Sequence, residues 1–586
     1  MNSSVIVDRD VMVPMRDEVK LSADVYRPAD NGQYPTLIHR TPYSKSTAIN
    51  VASRFFNPLD AVLRGYVVVI QDVRGRFKSD GLWQPFANEG PDGYDTIEWA
   101  ASQPWSDGRV GIYGGSYVGV SSLHAALAAP PHLEACMVSM FTSNPQSCWT
   151  YSGGAFELGF NLFWVAGPFW GLAWDTVQRL GLSDQEITEG QERLAKITAD
   201  PWGAVRHLPI NDVRAFETLA PYWREWLAHP TYDHYWKPLD LLASNARINV
   251  PVLNLAGWFD IFLRGSLELH EFLDSHSDER ARKGHRLVIG PWEHVSHLNT
   301  MPSSAGQWDF GPTALSGPRL WTDLVLQFFD QHMKPGEVAE QPPSNVRYFM
   351  MGENVWADSV VWPPTHTATK FYLHSKGSAN TRLGDGALTT VLPSAEPTDS
   401  FTYDPASPVP SRGGRVLFYH FAFGQAGVAD QASVEERQDV LVYSSPALTT
   451  PLAIAGPVTV NLFAATSAVD TDFTAKLVDV QSDGFCANIA EGIIRARYRR
   501  NLEREELLAP GEVYEFVIDM WSVAHTFAIG DTVRLEISSS NFPRFNRNLN
   551  AAVSPITGVA EDIQVATQSV FHDVAHPSHL VLPVVA

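Results

Sequence analysis

Residues 111–119 read GIYGGSYVG, with Ser116 at the centre, and the reading of this stretch decides the fold. A β-leaning run (Val110, Ile112, Tyr113) precedes the serine. A helical-looking run, residues 118–129, follows it and stops at Pro130-Pro131. A serine squeezed among small residues at a strand-to-helix turn is how a hydroxyl is held out at the top of a sheet. There it can attack a carbonyl, and the helix N-terminus can help to hold the oxyanion. The match to Gly-x-Ser-x-Gly is imperfect, because Val118 stands where the second glycine belongs and Gly119 comes one residue later. Taken alone, the stretch fits a glycine-rich structural turn as well as a nucleophile elbow, and its surroundings have to decide.

Upstream, Leu21, Ala23 and Val25 share one face of a strand, with Ser22, Asp24 and Tyr26 on the other. Residues 36–39 form a short strand that runs into Arg40-Thr41-Pro42-Tyr43. Residues 66–71 (YVVVIQ) are a fully apolar run of strand length that empties into the charged loop Asp72-Val73-Arg74-Gly75-Arg76. Asp92 or Asp95 is placed to cap a helix through Trp99 and Ala101. Strand and helix alternating at this spacing define a doubly wound α/β domain. From about Asn144 the texture changes: Trp149, Phe156, Phe160, Phe163, Trp164, Phe169, Trp170 and Trp174 crowd a region that then turns helical, with a start at Ser183-Asp184. Residues 146–246 are therefore expected to be a helical insertion, with core packing the ordinary role of most of its aromatic residues. The α/β pattern resumes at Val250. Residues 252–256 (VLNLA) end in Gly257-Trp258-Phe259-Asp260, and residues 286–289 (RLVI) end in Gly290-Pro291-Trp292-Glu293-His294. Leu320, Leu324 and Phe328 then lie on one helical face. From 346 to 586 short β-rich runs recur between Gly, Pro, Asp and Ser, the texture of a β-sandwich of the jelly-roll kind. The expected division is an α/β catalytic domain from 1–145 and 247–345, the insertion 146–246, and a β domain 346–586.

The composition is compatible with this plan. A chain of 586 residues holds about three or four domains, each able to bury a core. A net charge of −22 argues against nucleic-acid binding. The basic cluster Arg495, Arg497, Arg499 and Arg500 runs into Glu503, Glu505 and Glu506 and reads as an exposed, charge-balanced strand. Cys136, Cys148 and Cys486 make neither a disulfide framework nor a metal pattern. No signal peptide or membrane-span signal is visible, so a cytoplasmic setting without a membrane partner is expected. Homo-oligomerisation is left open.

Three residue types now sit at strand ends of one α/β domain: Ser116, Asp260 and His294. Their order is the one the α/β-hydrolase fold requires. A serine hydroxyl is a weak nucleophile until a neutral imidazole takes its proton. The carboxylate fixes the imidazole tautomer and stabilises the imidazolium. A competing metal reading of Glu293, His294 and His297 lacks the His-Glu-x-x-His order that puts two ligands and a base on one helix, so no metal and no cofactor are expected. Asp470 and Asp472 lie in the β domain and read as structural.

GGSYVG at 114–119 resembles the Gly-x-Ser-Tyr-x-Gly elbow of the cocaine esterase-like acyl hydrolases, neighbours of the X-Pro dipeptidyl-peptidases and α-amino-acid ester hydrolases. GWFD ending at Asp260 and GPWEH ending at His294 are similar to the segments carrying that family's aspartate and histidine. The likeness extends over essentially the whole chain, through VMVPMRDEVKL, VIQDVRGRF, SAVDTDFTAKLVDV and HPSHLVLP, and is weakest in the helical insertion. It implies an oxyanion hole made by the Tyr43 hydroxyl, from RTPYSK, and the backbone N–H of Tyr117. It also implies an acyl pocket walled by Trp149, Trp164, Phe262, Leu417 and Phe418. Between Tyr419 and Asp430 this sequence is longer and more aromatic than the family pattern, which leaves substrate specificity open. The expected substrate is a small-molecule ester, cleaved through an acyl-enzyme. The alternatives are an amidase or X-Pro peptidase, or an α-amino-acid ester hydrolase, for which Glu157 and Glu293 are the nearby acids able to hold a substrate amine. A third alternative, from a different class, is a degenerate hydrolase that only binds.

Overall fold

In the computed structural model, which describes residues 4–46, 57–167, 172, 181–242, 247–296, 303–316, 318–334, 336, 344–417 and 422–586, ten strands build the first sheet. They are β1 (Val5–Pro14), β2 (Lys20–Pro28), β3 (Tyr34–Thr41), β4 (Val67–Asp72), β5 (Ser106–Gly115), β6 (Leu133–Ser139), β7 (Val252–Phe259), β8 (Arg286–Glu293), β9 (Val346–Met350) and β10 (Val355–Ser359). They lie in the order β1-β2-β4-β3-β5-β6-β7-β8-β9-β10. β4 through β9 are parallel, and β1, β2 and β10 are antiparallel additions at the two edges. β4 and β7 are buried along their whole length, as near-continuous apolar runs are when helices cover both faces.

The alternation of side chains assigns the faces. Ile38, Val67 and Val69 pack with Ile97 of α2 (Glu89–Ala101) and with Val120 and Leu123 of α3 (Tyr117–Leu127). Leu37, Val68, Ile70, Leu253 and Leu255 pack on the other side with Ala61 and Val62 of α1 (Pro58–Leu63) and with Val325, Leu326 and Phe329 of a later helix, Pro318–Met333. Among the described residues between β6 and β7 lie a π-helical turn, Gln146–Thr150, which carries Trp149, then α4 (Leu158–Ala166), α5 (Asp184–Ala199), α6 (Pro201–Arg206), a single turn, Phe216–Leu219, α7 (Tyr222–Ala228) and a 3-10 turn, Lys237–Leu239. α4 is apolar and buried all round, whereas α5 is solvated and opens with a capping box between Ser183 and Glu186. Phe169, Trp170 and Trp174 lie outside the described residues.

The C-terminal sheet runs Asp399–Tyr403, Ala566–Phe571, Leu452–Thr466, His579–Val584, Thr367–His374, Ala387–Thr389, Leu441–Ser444, Thr532–Ser538, Asp472–Val480, Cys486–Arg495, with Tyr514–Phe527 paired to Leu452–Thr466. Among the described residues no helix is long and apolar enough to cross a membrane. All three cysteines are buried and free.

The structure corrects the sequence reading in three places. β9 and β10 were grouped with the C-terminal strands, but β9 pairs parallel to β8, so the first sheet extends to Ser359. Short β-rich runs look alike in sequence, and only pairing assigns them. α2 starts at Glu89 after Asn88, not at Asp92 or Asp95, because both aspartates are engaged by arginines from elsewhere: Arg74 on Asp92 at 2.6 Å and Arg16 on Asp95 at 2.7 Å. Arg495 and Arg497 are not exposed. Both are 2 % exposed, and they pair with Asp472 at 2.9 Å and Asp470 at 2.7 Å. Breaking a buried pair from one side leaves a desolvated charge and costs about 3–5 kcal/mol, whereas replacing both partners by apolar groups is often neutral. Asp472→Ala should therefore lower the urea midpoint of unfolding sharply. Combining it with Arg495→Met should recover most of the loss, as read by tryptophan fluorescence.

Candidate active site

Ser116 caps α3 at φ 58° and ψ −133°, a strained region for a residue with a side chain. Its N–H donates to Ser139 O of β6 at 2.9 Å, and its carbonyl accepts from Gly119 and Val120, so strand and helix hold the turn from both sides. The shifted glycine has a physical reason. A Cβ on Gly114 would lie 2.2 Å from Val118 Cγ1, and one on Gly119 would lie 2.8 Å from Phe141 Cβ and 3.2 Å from Gly114 O. Val118 thus fills the space beside Gly114, and Gly119 makes the close crossing.

Asp260 follows the end of β7 and His294 the end of β8, where the register of the two strands shifts between Gly290 and Glu293. Such irregularities re-aim side chains at sheet ends. Asp260 is fully buried, His294 is 6 % exposed, and His294 Nδ1 lies 2.7 Å from Asp260 Oδ1. An ionised carboxylate only accepts, so Nδ1 carries the donated proton and Nε2 keeps its lone pair. This is the tautomer a general base needs.

Tyr43 stands two residues past β3 and is partly buried. Trp164 Nε1–H donates to its hydroxyl at 3.0 Å, and the Ser116 side chain lies near enough to influence it. Burial pushes the phenol far above its ordinary range, while Trp164 and Ser116 pull the other way. Tyr117 is the first residue of α3. Its phenol donates to Glu89 Oε1 at 2.9 Å and accepts from the Phe86 N–H at 2.9 Å and the Trp83 indole at 3.3 Å. Glu89 is itself paired with Arg40 at 3.1 Å.

Aromatic contacts run on from Trp164 to His294. Trp164 meets Trp149 edge-on at 5.0 Å, Trp149 stacks on Phe262 at 4.6 Å, and Phe262 meets the His294 ring edge-on at 5.2 Å. Tyr43, Trp164, Trp149, Phe262, His294 and Asp260 are therefore linked by successive side-chain contacts, with Ser116 near Tyr43 at the head of the series. Leu417 is partly buried against the same apolar cluster, and Phe418 and His297 lie outside the described residues. Phe160, which packs on Trp149 at 5.1 Å and Phe262 at 5.4 Å, was counted only as part of the aromatic stripe. Trp83 and Phe86, which hold Tyr117, were not singled out at all, since one aromatic residue in a loop gives no sign of which side chain it meets. Among the described residues no group of three or more His, Cys, Asp or Glu is arranged to hold a metal ion.

Comparison with known proteins places this arrangement. Residues 17–296 match the model of the X-Pro dipeptidyl-peptidase (S15 family), and residues 338–581 match the X-Pro dipeptidyl-peptidase C-terminal non-catalytic domain. The chain therefore combines a hydrolase fold with a strand-rich, non-catalytic C-terminal domain. It is 37% identical over 584 residues to the cocaine esterase of Rhodococcus sp. (strain MB1 Bresler), covering 99% of this chain and 98% of that protein. An α-amino acid ester hydrolase structure superposes with a TM-score of 0.82 at 26% identity, covering 100% of this chain and 97% of that one. An aminopeptidase from a marine sediment Thaumarchaeota archaeon gives 0.81 at 25% identity, covering 100% and 97%. The chain belongs to the cocaine esterase-like branch of this hydrolase family.

The His294–Asp260 contact yields a direct expectation. Asp260→Asn should lower turnover by about 10,000-fold with little change in KM, because the amide favours the wrong imidazole tautomer. Steady-state kinetics on a chromogenic ester checks it.

Proposed function

We propose that the chain is a serine esterase acting on small carboxylic esters with an aryl or bulky acyl group. Ser116 Oγ attacks the acyl carbonyl while His294 Nε2 takes its proton. The tetrahedral oxyanion is received by the Tyr43 hydroxyl and the Tyr117 N–H. Collapse breaks the bond to the alkoxy oxygen, which leaves as the alcohol with the proton from His294, and Ser116 remains acylated. Water then gives a proton to His294 and attacks the acyl carbon, releasing the acid and restoring the serine. The observation that carries this reading is the 2.7 Å contact of His294 with Asp260, both just past the ends of parallel strands β8 and β7, in the same sheet whose strand β5 ends at the strained Ser116 turn.

The acids around the wall favour a neutral acyl group over one with a free amine. Of the two acids considered for holding an amine, Glu157 is 2 % exposed and 3.3 Å from Arg544, which it shares with Glu491, and Glu293 is 4 % exposed. Glu268, beside Cys148 and Ser143, is paired with Arg264 at 2.8 Å, and Glu89 with Arg40 at 3.1 Å. A carboxylate that already holds a guanidinium is a poorer counter-ion for a substrate ammonium than a free one. The likeness to an α-amino acid ester hydrolase structure keeps the amino-ester reading as the second one.

The helices between β6 and β7 we read as a cap that supplies Trp149 and Trp164. The C-terminal strands we read as a jelly roll, beginning after Ser359, that brings Leu417 to the pocket.

Turnover should be at least tenfold more efficient for a neutral acyl ester than for its α-amino analogue, and should vanish in Ser116→Ala. A panel of paired esters and amides reads this out. A preference for the free amine would replace the proposal with the amino-ester reading, and absence of any turnover would favour a binding protein. Tyr43→Phe should cut turnover by about 100-fold with the fold intact, the usual cost of one oxyanion donor.

A further inference from the structure

We propose that Trp164 is a positioning residue for the oxyanion hole as well as a wall of the acyl pocket: its indole N–H holds the Tyr43 hydroxyl on the oxyanion. The proposal rests on the reading of Tyr43 as an oxyanion donor.

The geometry distinguishes this tryptophan from its neighbour. Trp149 belongs to the same wall, yet its indole nitrogen has no hydrogen-bond partner among the described residues. A wall therefore needs no such bond. Trp164 Nε1–H points to the Tyr43 hydroxyl at 3.0 Å. Its ring is 4 % exposed and has little freedom to turn away: it meets Trp149 at 5.0 Å, stacks near Trp226 at 5.9 Å and near Tyr117 at 6.2 Å, and meets Trp83 at 6.1 Å. It thus contacts both residues that supply the oxyanion donors.

A phenol has one proton to give and can accept two. Accepting the indole N–H fixes the direction of one lone pair and so limits where the O–H can aim. Hydrogen bonds in series polarise one another in a low-dielectric site. The sequence indole N–H, phenol O–H, oxyanion strengthens as negative charge grows on the substrate oxygen. Its contribution belongs to the transition state and is read in kcat rather than KM. It also opposes the effect of burial, which makes the isolated phenol a poorer proton donor.

A double-mutant cycle tests this with the full-length enzyme and a chromogenic aryl ester. Trp164→Phe should lower kcat about fivefold, the scale of one hydrogen bond. KM should stay within about twofold, because an aromatic wall remains. Adding Trp164→Phe to Tyr43→Phe should cost less than about twofold, since the hydroxyl it acts through is gone. Equal losses in both backgrounds, or a loss carried by KM, would overturn the positioning role and leave Trp164 as a wall only. Near-normal kcat in Tyr43→Phe alone removes Tyr43 as a donor and this proposal with it, an outcome read from that single variant. To separate loss of the N–H from disturbed packing, benzothienylalanine at position 164 keeps the bicyclic ring and replaces N–H by sulfur. It should reproduce the phenylalanine loss, and unchanged kcat would overturn the proposal.

Discussion

A serine held at φ 58° and ψ −133° persists only where its surroundings over-determine it. Here the constraint is the close crossing of β5 and α3, where Val118 packs onto Gly114 and Gly119 onto Phe141, with Ser116 N–H tied to β6. The sheet order then fixes where the other chemistry can come from. β6, β7 and β8 follow β5 in parallel, so residues just past the ends of β7 and β8 arise on the same side of the sheet as Ser116. Asp260 and His294 are those residues, and their 2.7 Å contact sets the imidazole tautomer.

The aromatic wall couples this frame to the helices and to the C-terminal domain. Trp149 and Trp164 come from between β6 and β7 and Phe262 from just after Asp260, while Leu417 of the strand-rich domain packs against the same apolar cluster. The C-terminal domain also reaches β7 directly. Arg415 is buried, and it donates to Trp258 O at 2.9 Å, to Met520 O at 2.8 Å and to Ser522 O at 3.0 Å. Trp258 lies two residues before Asp260, so the domain described as non-catalytic buttresses the strand that carries the carboxylate.

The elements around Ser116, Asp260 and His294 were legible because each residue follows an apolar run of strand length and their chain order is diagnostic. Tyr43 and the tryptophans entered only through a resemblance: nothing in RTPYSK itself points to a serine 73 positions later. Pairing across long separations was not legible. Glu157 looked like a free acid near the nucleophile, but its partner Arg544 lies 387 residues away. Arg495 and Arg497 looked solvated because sequence shows their charge and not the aspartates opposite them. β9 looked like its C-terminal neighbours because strand texture does not reveal which edge a strand joins.

The central claim is that Ser116 is the nucleophile and that Tyr43 and Tyr117 receive the charge formed on its substrate. The most direct measurement is a crystal structure of the protein after reaction with an aryl fluorophosphonate, whose phosphoryl oxygen stands in for the oxyanion. The account predicts phosphorus bonded to Ser116 Oγ, with that oxygen about 2.7–3.1 Å from both the Tyr43 hydroxyl and the Tyr117 nitrogen. An adduct on another residue, or a phosphoryl oxygen turned away from both donors, would contradict it.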